Sequence, residues 1–314
     1  MPNGETPSSH QNTEDVYHVP VLLKETIEGL AIRNDGIYVD CTFGGGGHSR
    51  EILKNLGPGG KLFVFDQDED AQRNLPNDDR VVFIHQNFRH IRSFLRLHQV
   101  DQVDGILADL GVSSHQFDEG SRGFSIRFDA KLDMRMDVRQ GKTAADVLNS
   151  SSEQELHKIF ERYGEVSNAK TLARVIVEKR KTTPVDTISG FQAMIKDVVK
   201  GNPNKYLAKV FQALRIEVND EMGALKEMLE HSVQLLKPEG RLAIITFHSL
   251  EDRMVKNLIR NGTTEEIQVD EIYGTKVESV LMMVNKKPIE AGDEELKRNP
   301  RSRSAKLRIA QKKG

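Results

Sequence analysis

The chain has 314 residues, 37% hydrophobic and 29% charged, enough for a buried core in one large domain or two unequal ones. Its 45 basic and 47 acidic side chains leave a net charge of −2, which excludes a uniformly basic protein but not one with local basic patches. A single cysteine excludes an internal disulfide and a multi-cysteine zinc cage, and no apolar run approaches the roughly 20 residues that cross a bilayer, so a cytoplasmic protein without membrane contact is expected.

Residues 1–16 are polar and unpatterned and read as a disordered tail, with order expected from Tyr17. Over 17–117 short apolar runs alternate with amphipathic stretches. IYVDC (37–41) precedes SREILKNL, KLFVFD (61–66) precedes an acidic turn, VVFIH (81–85) precedes FRHIRSFLRLH, and VDGILADL (103–110) follows. Runs of four to six apolar residues separated by helical periodicity predict βα units and a mainly parallel, twisted sheet. Residues 118–142 are charged, Gly-punctuated and aperiodic. Helix starts follow at Thr143, at Ser152 with Glu155 as a capping box, and at Thr187, so 118–205 reads as an inserted, mainly helical unit. From 206 the sheet part resumes: Leu207, Phe211, Leu214 and Val218 share one helical face. RLAIITF (241–247), after a KPEG turn, and then VESVLMMV (277–284) and SAKLRIAQ (304–311) predict late strands, the last within a basic C-terminal tail. The fold class expected is α/β with an inserted helical domain.

The segment DCTFGGGGHS (40–49) joins a predicted strand to a predicted helix. Its glycines permit a sharp turn and close approach of the backbone to a ligand. A phosphate-binding P-loop would need a Lys-Ser or Lys-Thr pair where His48 and Ser49 stand. Asp66, at the end of the next strand, is placed to accept from a ribose diol, which suits a nicotinamide dinucleotide or S-adenosylmethionine equally. Asp109 ends the fourth strand at the sheet's carboxyl edge, beside the switch point where open α/β sheets bind ligands. Hydride transfer asks for a Tyr–Lys or His–Asp pair, and neither is evident. Methyl transfer to an amine asks for acceptors that hold its hydrogens and help a proton leave, which Asp109 can supply.

GIYVDCTFGGGGHS, the strand ending in Asp66, DGILADLGVSSHQ, RGFS, LDMRMD, RYGE, FQALRIEVNDE, TFHSLEDR and NPRSRSAKLR, in this order from about Tyr17 to Leu307, resemble the bacterial 16S rRNA (cytosine N4)-methyltransferase family, RsmH or MraW. The resemblance implies a Rossmann-like methyltransferase fold and S-adenosylmethionine-dependent methylation of the exocyclic amino group of one cytidine in the decoding region of 16S rRNA. It places cofactor contacts at Gly46, Gly47, His48, Asp66, Phe88, Asp109 and Gln116. His115 stands where the family often has proline, and NPNKYLAKV precedes FQALRI in place of a His-Pro-Ala-Lys-Arg stretch.

The chemistry can be weighed separately. Methylation at cytosine carbon five generally needs a cysteine nucleophile, and Cys41, in the first strand, reads as a buried structural thiol. Direct attack by the amine fits better, with Asp109 as acceptor. His248, in FHSLEDR, either reaches the flipped base or orients its loop, and Phe247 could stack there. His85, His90 and His98 have no metal-ligand spacing, so no metal is expected. RNA contacts are expected from Arg122, Phe124 and Arg135 in the irregular segment, where Arg127, Phe128 and Lys131 also lie, and from Arg301 and Arg303 in the tail. LDMRMD could instead form a hinge, with Met134 and Met136 beneath the active site. The partner expected is 16S rRNA within the small ribosomal subunit, with the oligomeric state open, a homodimer included. The alternatives are a nicotinamide-dependent oxidoreductase and a non-catalytic ribosome assembly factor.

Overall fold

Alternation with period two, apolar on both faces, is what a strand covered by helices on each side requires. In the computed structural model, which describes residues 20–113, 116, 117, 119–139, 141–265 and 278–314, β1 (Ile37–Asp40), β2 (Lys61–Phe65), β3 (Val81–Ile84) and β4 (Val103–Asp109) meet that requirement. Val39, Phe63, Phe65 and Ile106 face one core, while Tyr38, Leu62, Val64 and Leu107 face the other. The expected tail at 1–16 and His115 lie outside the described residues.

The sheet has the order β3-β2-β1-β4-β5-β7-β6. β1 pairs in parallel with β2 and β4, β2 with β3, and β4 with β5 (Leu236–Thr246). β7 (Lys306–Lys312) runs antiparallel between β5 and β6 (Leu281–Met283). This is the mainly parallel, Rossmann-like α/β fold expected. The KPEG segment lies inside β5 as an irregularity: Val103 pairs with Leu236 but Gly105 with Arg241, so those residues bulge out of the ladder. The basic C-terminal stretch is largely strand. Arg308 is buried and forked onto Asp252 at 2.7 and 2.9 Å, and Lys312 donates to the Leu236 carbonyl.

Helices α1 (Leu23–Leu30) and α2 (Gly47–Asn55) cover one face, with Leu30 and Ile52 fully buried there. On the other face lie α3 (Ile91–Leu97) and two later helices described below. Each such buried aliphatic side chain contributes about 1.5–3 kcal/mol.

A third apolar cluster gathers residues between Phe124 and Leu214. It contains α4 (Ala144–Ser150), α5 (Glu153–Arg162), α6 (Ala169–Lys179) and α7 (Ile188–Ile195). The start signals act as read: Thr143 and Ser152 form reciprocal capping boxes with Asp146 and Glu155, and Thr187 accepts from the Gly190 N–H. Next comes α8 (Pro203–Asn219), which buries Tyr206, Val210, Phe211 and Leu214 in this helical cluster, although the sequence reading begins the second sheet part at 206. Asp220, at φ 46°, then turns the chain into α9 (Glu221–Leu235), which packs on the sheet together with α10 (Ser249–Asn261). The corner joins the two parts: Asn219 accepts from the Met136 N–H and donates to the Met134 carbonyl, and Asp220 accepts from Arg89 at 2.6 Å.

Candidate active site

The carboxyl ends of β1, β2, β4 and β5 open onto one cavity of about 620 Å³, within the range of small-molecule sites. It lies where the strand order reverses between β1 and β4.

The glycine loop forms its floor. Gly44 and Gly46 have φ of 49° and 72°, conformations that side chains disfavour, and a Cβ on Gly46 would stand 2.9 Å from the Phe43 ring. Gly47 abuts Pro20 with no room for a side chain. The loop ends in the amino end of α2, whose first N–H groups have no partner within the helix.

Asp66 is held rigidly at the end of β2. One carboxylate oxygen accepts from the Gly44 N–H and the other from the Asp68 N–H, each at 2.8 Å. Burial outweighs these bonds and pushes its pKa up to about 6. Phe88 and Gln116 also line the cavity. Gln116 is buried, donates to Asp68 at 2.7 Å and accepts from the Ser113 N–H, which ties the loop after β4 to the loop after β2.

Asp109 contrasts with Asp66. Its backbone N–H donates to Thr42 Oγ1, but Oδ1 is buried with no hydrogen-bond partner, and Oδ2 stands 3.8 Å from His48 Nδ1. A quarter of its side chain remains exposed. Burial, followed by the neighbouring charges of Asp40 and Glu251, pushes its pKa up to about 8. Asp40 lies beneath, buried, accepting from Ser49 Oγ at 2.7 Å and from the Thr42 N–H at 3.0 Å. His48 is buried too, and burial lowers its pKa.

His248 goes elsewhere than to a base. It caps α10, its Nδ1 facing the Glu251 N–H at 3.4 Å and its Nε2 lying 3.1 Å from Glu251 Oε1. It does not line the cavity, whereas Phe247 and Glu251 do. Burial alone would raise Glu251, but bonds from His248 and the Phe247 N–H, with the Arg215 charge, hold it below the usual range. The His-x-x-Glu spacing after a buried strand was the sequence signal for this box, and Glu251 went unread. Among the described residues, Glu221, His248 and Glu251 bring ligand atoms within 4.8 Å of one another, a set no motif announced. Both Glu221 oxygens are already engaged by Arg215 at 2.7 and 2.9 Å.

The expected RNA contacts divide. Phe124 is a correction: it is 7% exposed inside the helical cluster and cannot stack on a base, while Phe128 is 47% exposed. Arg122 is turned inward, bound to Asp68 at 3.1 Å and to the Arg135 and Met136 carbonyls. Arg135 is forked onto Asp133 at 2.8 Å through both Nε and Nη2. Arg122 ties the 119–139 segment to Asp68 at the cavity wall, where Met136 is a lining residue and Met134 is buried. Arg301 and Arg303 are exposed, and Arg301 lines the cavity with its guanidinium 5.1 Å from the Phe117 ring centroid. Cys41 is buried and its thiol is held well above its usual pKa by burial, as a structural thiol would be.

Comparison with known proteins extends over nearly the whole chain. The model of the MraW methylase family matches residues 15–313. Ribosomal RNA small subunit methyltransferase H of Bacteroides fragilis (strain YCH46) is 56% identical over 301 residues, covering 96% of this chain and 99% of that protein. The proteins of the same name from Bacteroides thetaiotaomicron and Flavobacterium johnsoniae are 55% and 54% identical, over 96% and 94% of this chain and 100% and 98% of their own lengths.

Proposed function

The chain belongs to the MraW methylase family, and on that premise we propose that it transfers a methyl group from S-adenosylmethionine to the exocyclic N4 amine of one cytidine in the decoding region of 16S rRNA. The observation that carries this reading is Asp109, a cavity carboxyl that no hydrogen-bond donor anchors, set at the strand end opposite the glycine loop.

When bound, S-adenosylmethionine supplies a methyl group made electrophilic by its cationic sulfur. The residues present suit such a molecule. The glycine loop borders the cavity through Gly44, Gly45 and Gly47, with open space beside Gly45, Asp66 is fixed to accept from a ribose diol, and Phe88 also lines the cavity. Asp66 and Glu251, both ionised at neutral pH, give the cavity wall negative charge, which favours a cationic ligand there. Asp109 accepts a hydrogen of the cytosine amine, aligns its lone pair and receives the proton lost as the new N–C bond forms. Phe247 and Arg301 border the space for an everted base. The buried Cys41 thiol takes no part, so no covalent adduct with the ring is needed. The family match over residues 15–313 stands against the nicotinamide-dependent alternative.

For RNA we assign the exposed residues Arg127, Phe128 and Lys131 together with Arg301 and Arg303, of which Arg301 lines the cavity. The inserted unit at 118–205, with α8 whose apolar face it shares, grips the substrate in this reading. The test is mass mapping of 16S rRNA nucleotides from cells with and without the gene, with methyl incorporation into small subunits by the purified protein. Loss of one N4-methyl group at one cytidine, restored by the protein, is expected. An unchanged modification map would overturn the reading.

A further inference from the structure

His48 sits in the loop that the family resemblance assigns to the cofactor, yet both of its ring nitrogens are directed elsewhere. Nε2 lies 3.1 Å from the Val21 carbonyl oxygen, and Nδ1 lies 3.8 Å from Asp109 Oδ2. A carbonyl only accepts, so Nε2 carries the hydrogen. In the neutral ring this leaves Nδ1 as a bare lone pair facing Asp109. The ring is 7% exposed, and its surroundings favour the neutral form: burial dominates over the nearby Asp40 carboxyl. Asp109 in turn lacks the backbone donors that fix Asp66, so its carboxyl is free to turn about its last torsion.

We propose that His48 is a positioning residue for methyl transfer: its Nδ1 orients the Asp109 carboxyl and takes the proton that Asp109 passes on from the substrate amine. This inference rests on the methyltransferase reading above. The step balances. As the amine nitrogen bonds to the methyl carbon, the carbon–sulfur bond breaks with its electron pair on sulfur, leaving a neutral thioether. The amine proton moves to one Asp109 oxygen while the hydrogen on the other moves to Nδ1. His48 ends as imidazolium beside Asp40, and returns its proton through Asp109 to water when the methylated base leaves and the cavity is open. The relay matters because the Asp109 carboxyl, with a pKa of about 8, holds a proton at neutral pH and cannot accept a second without releasing the first. The gap of 3.8 Å must close by somewhat under 1 Å, an adjustment of the kind that catalytic contacts make when substrate binds. The other titratable groups acting on this pair are Asp40, at the end of β1, which faces both, and Glu251 on α10, which acts on Asp109.

His48→Gln tests the proposal, because the glutamine amide can donate to Val21 from the place of Nε2 while presenting no basic nitrogen at the place of Nδ1. Equilibrium binding of S-adenosylmethionine should stay within about threefold, and the circular dichroism and thermal midpoint should be near those of the unaltered protein. Single-turnover methyl transfer to small subunits at pH 7 should fall about tenfold or more. The deficit should shrink as pH rises through 8, where ionised Asp109 accepts the proton unaided. His48→Asn, which restores an acceptor near Nδ1 but no base, should show the same pH dependence. A normal rate at pH 7, or a deficit equal at every pH, would overturn the relay. Loss of cofactor binding in both variants would also overturn it, assigning His48 to the cofactor seat alone. An unaltered protein that methylates nothing would overturn the function and the relay together.

Discussion

Asp66 and Asp109 are both carboxylates at strand ends, yet their neighbours give them different tasks. Two backbone N–H groups orient Asp66, whereas Asp109 has an unpartnered oxygen and a pKa raised to about 8 by burial, Asp40 and Glu251. The raised value has a consequence for stability. Between the unfolded carboxylate pKa near 4 and the folded value of about 8 the folded state binds more protons than the unfolded one, so this group's contribution falls as pH rises through that window. Asp109→Asn removes the penalty. Methyl transfer should drop by about 100-fold or more, while the thermal midpoint of the cofactor-free protein should exceed that of the unaltered protein at pH 8.5 and converge with it near pH 4. A scan of midpoint against pH checks the sign, and a midpoint gain in the variant that is larger at pH 4 than at pH 8.5 would contradict it. Cys41→Ser should retain transfer in the same assay, since the buried thiol has no chemical part to lose.

Among the elements, the turn from β1 into α2 carries a strict backbone requirement. Gly46 is the N-cap of α2 with φ 72°, and the space beside it is filled by the Phe43 ring. Gly46→Ala would cost about 1–2 kcal/mol for the left-handed backbone, with the ring contact in addition. Lower stability and at least tenfold weaker S-adenosylmethionine binding are expected, readable by denaturant titration and calorimetry. Cofactor affinity unchanged in this variant would mean that the loop is not the cofactor floor. The caps of α4 and α5 were legible because a capping box is local: Thr143 with Asp146 and Ser152 with Glu155 are three residues apart in sequence and in contact in space. The same logic governs His248 and Glu251, but there the local signal competes with a catalytic reading of histidine, and the contact decides between them.

At the scale of the molecule, charge is spread evenly in composition but not in availability. Arg122, Arg135 and Arg308 are turned onto Asp68, Asp133 and Asp252, whereas Arg301 and Arg303 are exposed on the turn at 300–304 before β7. Replacing both by glutamine should weaken binding to small subunits and reduce the slope of log affinity against log salt by about 1–2, since each phosphate contact contributes roughly 0.9 to that slope. An unchanged slope would confine these residues to packing beside Phe117. The helical unit and the sheet meet through Asn219, Asp220 and Arg122, so movement of the unit would reach the cavity through Met136.

Sequence alone determined what depends on neighbours along the chain. Strands followed from short apolar runs, helix starts from caps, the sharp turn after β1 from consecutive glycines, and the acidic strand ends from their place after apolar runs. Tertiary structure decided what depends on distant neighbours. Phe124 and Phe128 are alike in sequence, but only packing against the helical cluster buries the first and leaves the second at the surface. Arg122 and Arg301 are equally basic, but a carboxylate 54 residues away turns the first inward, while the second is exposed at the cavity. The bare nitrogen of His48 came from a carbonyl 27 residues earlier, and the raised pKa of Asp109 from burial, with the charges on β1 and α10 adding to it. Electrostatics and burial act through space, and residue order cannot state them until the sheet has brought those strands' ends together.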